Sequence, residues 1–287
     1  MECIKSLEEY MMWLENVKKK RGIFSNFICY RGQENNEWNL TSSLQRSGKV
    51  VKENLLVKNL MILEPDEFNS NYDDCDILAK AQHFCMPTRL IDFTKNPYVA
   101  LYFACKSTEI ESKNKNGKVF ACITELSDDA RKVANEVCSY WRYDNINNFG
   151  NLPFCKDLKE AYGHYFSITH LNYNNLFFVP KYISDRERNQ QAVFFACINR
   201  IKRKEKEIDN YYNSYVDVQH FNELLYEYKI DYDNLVSINT NSSGWYSIEI
   251  DKDFKEEILE QLNEFGINEA FIFPSLENRV KEIYKQI

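Results

Sequence analysis

No Cys-x-x-Cys pair occurs in the 287 residues, although nine cysteines are present. The count is odd, the positions are scattered, and Cys29, Cys105, Cys122 and Cys197 fall in apolar runs where cysteine acts as a small hydrophobe. His83 and Cys85 lie two apart, but no second half of a zinc site accompanies them, so no metal is expected. Met1 to Lys5 lacks the charged-then-apolar pattern of a secretory signal, and a reducing cytoplasm is the simplest setting. Excess positive charge is missing too. The net charge of −7 argues against nucleic acid or a membrane surface as partner. One basic run, Arg200-Ile201-Lys202-Arg203-Lys204-Glu205-Lys206, reads as a solvated loop or helix face, with a docking patch as the minority reading. There is no internal repeat and no low-complexity linker.

The length allows one large domain or two small ones with a substantial core. Ser6-Leu7-Glu8-Glu9 fits a capping box. The helix after it should bury Leu7, Met11 and Leu14 and stop at Gly22. Phe24 to Tyr30 is β-prone, which places Arg31 at a strand end. There it either pairs with a carboxylate or presents its guanidinium fork to a pyrophosphate. Leu55 to Leu63 and Val218 to Tyr228 are expected helices, and a helix begun by Asp73 to Asp76 leads to His83. Val119 to Ile123 reads as a central strand, and Leu176 to Val179, Ala192 to Ala196 and Trp245 to Ile250 as further strands. Phe254 to Phe265 forms an amphipathic helix ended by Gly266. Ala270 to Phe273 then returns as a strand, and Leu276 to Tyr284 closes as a helix. Residues 128 to 175, with Trp141, His164 and His170, form an irregular insert, equally a lid or a packing element. The pattern is that of a single α+β domain.

Residues 81 to 104 are the densest stretch. Pro87 breaks the preceding helix, and Arg89 to Asp92 forms a short strand. Asn96 and Pro97 suit the start of a helix whose residues Tyr98 to Cys105 are all apolar or aromatic, so it should be buried nearly all round. It is too short to cross a membrane. Asp92 and Thr94 lie between this strand and the helix N-terminus. They either cap the helix or face an anion bound there. A histidine such as His83 is more often a hydrogen-bonded structural residue than a catalyst, and its place between the helix and Pro87 keeps a site role open.

Gln82-His83-Phe84-Cys85-Met86-Pro87-Thr88-Arg89-Leu90-Ile91-Asp92-Phe93-Thr94 resembles the hallmark of the FRG domain family, with Cys85 standing where that pattern has glycine. Cys29-Tyr30-Arg31-Gly32-Gln33, Leu40 to Arg46, Arg186 to Phe194 and Phe273 to Glu277 resemble its other blocks, in the same order. The resemblance implies a single FRG domain over 1–287, with inserts at 128–175 and 200–235.

A second resemblance is to ADP-ribosyltransferases. Tyr30-Arg31-Gly32 is similar to their first-strand motif. Asp92-Phe93-Thr94, with Pro97, Ala100 and Phe103, is similar to their second. Gln190 stands where they carry a catalytic glutamate. This implies an ADP-ribosyltransferase-like split β-sheet core, NAD as substrate, and hydrolysis of NAD or ADP-ribosyl transfer, in the setting of a bacterial toxin or antiviral defence effector. Arg31, Asp92 and Gln190 would be catalytic, and Tyr30, Gln33, His83, Arg89 and Thr94 would bind the ligand. The other reading is a non-catalytic sensor that binds a nucleotide or a partner in the same pocket. Arg31, Asp92 and Gln190 are then expected to open into one cleft, with His83 and Thr94 lining it or just behind.

Overall fold

The computed structural model describes residues 3–21, 27–69, 71–124, 126, 128–142, 176–182, 184–197, 199–203, 228–235, 238, 244–276, 278 and 280. Its strands are β1 (Cys3–Ile4), β2 (Phe27–Gln33), β3 (Leu90–Thr94), β4 (Gly117–Thr124), β5 (Phe177–Phe178), β6 (Ala192–Ala196), β7 (Asn199–Arg203), β8 (Tyr228–Leu235) and β9 (Trp245–Ile250). Its α-helices are α1 (Leu7–Lys19), α2 (Ser43–Arg46), α3 (Glu53–Leu63), α4 (Asp74–His83), α5 (Pro97–Cys105), α6 (Asp128–Cys138), α7 (Asp185–Asn189), α8 (Lys255–Glu264) and α9 (Glu269–Ile272). Seven strands form one mixed sheet in the order β1-β9-β4-β2-β3-β6-β5, and β7 pairs with β8 in a separate ribbon. Among the described residues only the β1–β9 pair of this sheet is parallel. The α+β class is as read from the sequence.

Strand alternation divides the core in two. Ile28 and Tyr30 of β2, with Val119 and Ala121 of β4, pack against α1, α5 and α8 through Leu14, Leu101 and Leu262. Cys29, Phe120 and Cys122 point to the other face, where Val57, Leu78 and Val137 of α3, α4 and α6 meet Phe93, Phe177 and Trp245. The start of α5 is tied to α1 by the Tyr10 hydroxyl, which donates to the Pro97 carbonyl at 2.8 Å. Gly32 lets α5 lie directly on β2. A Cβ built there would sit 1.8 Å from the Ala100 carbonyl oxygen. No side chain fits at that distance.

Several local expectations hold with changes of detail. Ser6 caps α1 through Glu9 N–H, but the Glu9 carboxylate reaches Lys5 N–H instead of closing a box on Ser6. Tyr10 and Val17, not Met11, complete the buried stripe, and Met11 is exposed. Gly22 lies outside the described residues. Ala270 to Ile272 is helical, in α9, with Phe273 as its C-cap, because Asn268 caps the helix by accepting from Phe271 N–H. Arg200 to Arg203 is strand β7, neither loop nor helix. Residues 128–142 of the first insert are core, with Val133, Val137 and Trp141 buried, so this part is no lid. The rest of that insert, with His164 and His170, the helix expected at 218–228 apart from Tyr228, and most of the helix expected at 276–284 lie outside the described residues. Among the described residues no helix is long and apolar enough to cross a membrane.

Candidate functional site

Strand β2 is paired with β4 along its whole length, and β3 with β6 along its whole length. Between them β2 and β3 share one residue pair, Tyr30 with Thr94. Beyond that pair the sheet opens, and Arg31 lies in the gap. Its Nη1 donates to the Asp92 backbone carbonyl at 2.7 Å and stands 3.8 Å from the Asp92 carboxylate. The side chain is 18% exposed. Burial disfavours its charge and the Asp92 carboxylate counters this in part. An arginine stays protonated in a protein, so a desolvated cation results, and its Nε has no hydrogen-bond partner.

Asp92 is held from the other side by Gln82, whose Nε2 donates to Oδ1 at 2.8 Å. The Thr88 hydroxyl in turn donates to Gln82 Oε1 and accepts from Leu90 N–H at 3.1 Å. Gln82 and Thr88 thus orient an Asp92 carboxylate that is itself exposed. Asp92 caps nothing. Asn96 caps α5 by accepting from Tyr98 N–H at 3.0 Å, which leaves positive charge at this site to the arginines more than to the helix end.

Thr94 does serve the turn. Its hydroxyl accepts from Asn96 N–H at 2.9 Å and donates to the Gln190 carbonyl, which fastens the end of β3 to the start of β6. Gln190 ends α7 as its C-cap, and its side-chain amide donates to the Ile272 carbonyl at 3.1 Å. Arg31, Asp92, Thr94 and Gln190 line one cavity of about 230 Å³, with Tyr30, Phe103 and Arg186 also in its wall. The expected convergence of Arg31, Asp92 and Gln190 is therefore present. Two further cavities meet at Arg31. One of about 170 Å³ reaches Arg46, Gln82 and Cys85, and one of about 490 Å³ reaches Gln33, Trp38, Phe103, Lys106 and Phe273.

Not every residue expected at the site is there. Arg89 is 2% exposed and grips the Glu53 carboxylate, with Nε at 2.9 and 3.1 Å from its two oxygens, while Nη1 donates to the Cys197 carbonyl. It is a buried ion-pair member that ties β3 to α3, and it touches none of the three cavities. His83 also lies outside them, with Nδ1 3.9 Å from Glu187 and its ring edge-on to Phe84. Tyr30 borders the cavity but is 3% exposed, and burial pushes its hydroxyl up to about 12. Two cations not singled out as ligand residues do line the walls. Arg186 lies with its guanidinium 4.8 Å from the Phe273 ring centre, and Arg46 donates to the Thr41 carbonyl at 2.5 Å. Both stand in the sequence blocks that resemble the FRG pattern. Among the described residues no three His, Cys, Asp or Glu side chains are grouped to hold a metal ion.

The family model described as "FRG domain" matches residues 26–113. That span carries Arg31, Gln33, Gln82, Asp92, Thr94 and Phe103, but not Arg186, Gln190 or Phe273. No curated protein and no solved structure gives a significant match to the chain.

Proposed function

Taking as premise a chain that carries an FRG domain, we propose that the gap between β2 and β3 binds NAD and that the protein cleaves its nicotinamide–ribose bond. The observation that carries this reading is the meeting of Arg31, Asp92 and Gln190, from β2, β3 and the turn before β6, in one cavity. The opening of the sheet between β2 and β3 supports an ADP-ribosyltransferase-like split core, in which a dinucleotide lies across the split. In this reading Arg31, with a free Nε and a desolvated charge, holds the pyrophosphate, aided by Arg186. The bond from the sugar carbon to the nicotinamide nitrogen breaks with its electron pair leaving on nicotinamide. Positive charge develops at the sugar, and the exposed carboxylate of Asp92 stabilises it. Water then attacks that carbon and gives its proton to Asp92.

Hydrolysis is favoured over transfer to a protein side chain, because Gln190 cannot accept a proton as a glutamate would. An NAD-consuming toxin or defence effector is the physiological role this chemistry fits. One observation favours a non-catalytic nucleotide sensor instead. The Gln190 amide is already committed to the Ile272 carbonyl, which makes it a structural link.

Incubation of the purified protein with NAD, followed by measurement of nicotinamide, tests the proposal. Release should occur with the natural protein and fall roughly 100-fold or more in Asp92→Asn. Tight binding of NAD without release would favour the sensor, and neither binding nor release would remove both readings.

A further inference from the structure

We propose that the hollow between Arg31 and Arg46 is a second phosphate subsite, which takes the dianionic end of a phosphate monoester. The proposal goes beyond the reading of the cleft given above, since NAD carries no such group.

Helix α2 is docked on the start of β3. Leu44 is fully buried, its N–H donates to the Thr88 carbonyl at 3.0 Å, and the Ser43 hydroxyl accepts from Thr88 N–H at 3.1 Å. This seat holds Arg46, the last residue of α2, at the cavity of about 170 Å³ that it shares with Arg31, Thr41, Ser43, Gln82 and Asp92. Arg46 Nη1 donates to the Thr41 carbonyl, which anchors the guanidinium and leaves most of its N–H groups free. Among the described residues Arg46 stands in no ion pair, and neither Arg31 Nη2 nor the Thr41 hydroxyl makes a hydrogen bond.

The wall thus holds two cations and one carboxylate, in a chain whose net charge is −7. Among the described residues no other charged side chain lines it. Burial does most to disfavour the Arg31 charge, Asp92 offsets part of this, and the Arg46 guanidinium adds to the penalty. The two cations are therefore close enough to repel, and an anion between them turns that cost into attraction. Asp92 does not fill the role. Its Oδ1 accepts from Gln82, and its carboxylate stands 3.8 Å from Arg31, beyond hydrogen-bond reach. Two guanidinium forks match the oxygens of a phosphate, and two positive charges favour a dianion over a carboxylate or a diester. The volume lies below the roughly 300–1,000 Å³ of pockets for a whole drug-sized ligand, so one small group fits. Arg31 and Asp92 also line the cavity that holds Gln190, so a phosphate here adjoins whatever occupies that cavity.

The 2′-phosphate of NADP and the phosphate end of a second molecule share this chemistry. Calorimetric titration of inorganic phosphate, NAD and NADP at low ionic strength, into the natural protein and into Arg46→Gln, separates the two sources. Inorganic phosphate should bind the natural protein, and roughly tenfold or more weakly to Arg46→Gln. If NADP also binds roughly tenfold more tightly than NAD, and Arg46→Gln closes that gap, the subsite belongs to the dinucleotide. Arg46-dependent phosphate binding without the gap assigns it to a second molecule. No Arg46-dependent phosphate binding and no Arg46-dependent preference for NADP would overturn the proposal. The failures are separable from that of the enzymatic reading. Arg46-dependent phosphate binding without nicotinamide release leaves the subsite standing, and release with neither Arg46 effect removes the subsite alone.

Discussion

Cys85 shows how a single position carries both fold and history of pattern. It has φ of 66° and lies at the C′ position of α4, where its N–H donates to the Gln82 carbonyl at 2.9 Å and Met86 N–H to that of Ala81 at 3.0 Å. This is a Schellman stop, and a left-handed residue there is ordinarily glycine. The glycine of the FRG pattern at this place thus has a physical cause that no spacing argument revealed. Cys85→Gly removes a left-handed penalty of about 1–2 kcal/mol and adds back some chain entropy, for a net gain of roughly 0.5–1 kcal/mol. Urea denaturation would register this as a higher midpoint with unchanged slope, and a lower midpoint would mean the strained backbone is not where the stop is made. Arg89 teaches the reverse lesson. An arginine in a motif reads as a ligand residue, yet Glu53, far upstream in sequence, claims it in the core. Nothing local to Arg89 announces that partner.

At the scale of elements, β4, β6 and β9 were legible from uninterrupted apolar or alternating runs, and α4 and α5 from chemical starts and stops, Asp73 and Pro87 for the first and Asn96 and Pro97 for the second. Ala270 to Phe273 was not, since four apolar residues fit either period and only the Asn268 cap decides. Helix α5 is buried on six of its nine positions, while Phe103 is half-buried and faces the cavities, which the all-apolar run concealed. Its seat on β2 depends on Gly32. Gly32→Ala would force the Ala100 carbonyl away, at a cost near the upper end of the 1–3 kcal/mol typical of overpacking, about 3 kcal/mol. It would also lift Phe103 from the wall of the cleft. A melting curve within a degree or two of the natural protein would show that helix and strand are not in such contact.

For the whole molecule, the matched FRG segment supplies β2, β3 and the helices from α2 to α5, and so both edges of the gap in the sheet. The cleft is closed by residues beyond it, Arg186, Gln190 and Phe273. Strand order could not be read from the chain, because pairings such as β3 with β6 join residues about a hundred positions apart by packing that no local pattern encodes. What was legible was that Arg31 and Asp92 belong to apolar strands and that Gln190 precedes one; the expected strand ends were not, since Arg31 lies within β2, Asp92 at the middle of β3, and Gln190 caps α7 before β6. In the proposed function these groups form one ligand site with Arg31 at its centre. The most direct measurement is calorimetric titration of NAD into the natural protein and into Arg31→Ala, each checked by thermal melting. The natural protein should bind, and Arg31→Ala should bind about 100-fold more weakly or not at all, with a stability loss of only about 1–2 kcal/mol for one hydrogen bond. Equal affinity in the two proteins, or no binding by the natural one, would contradict it.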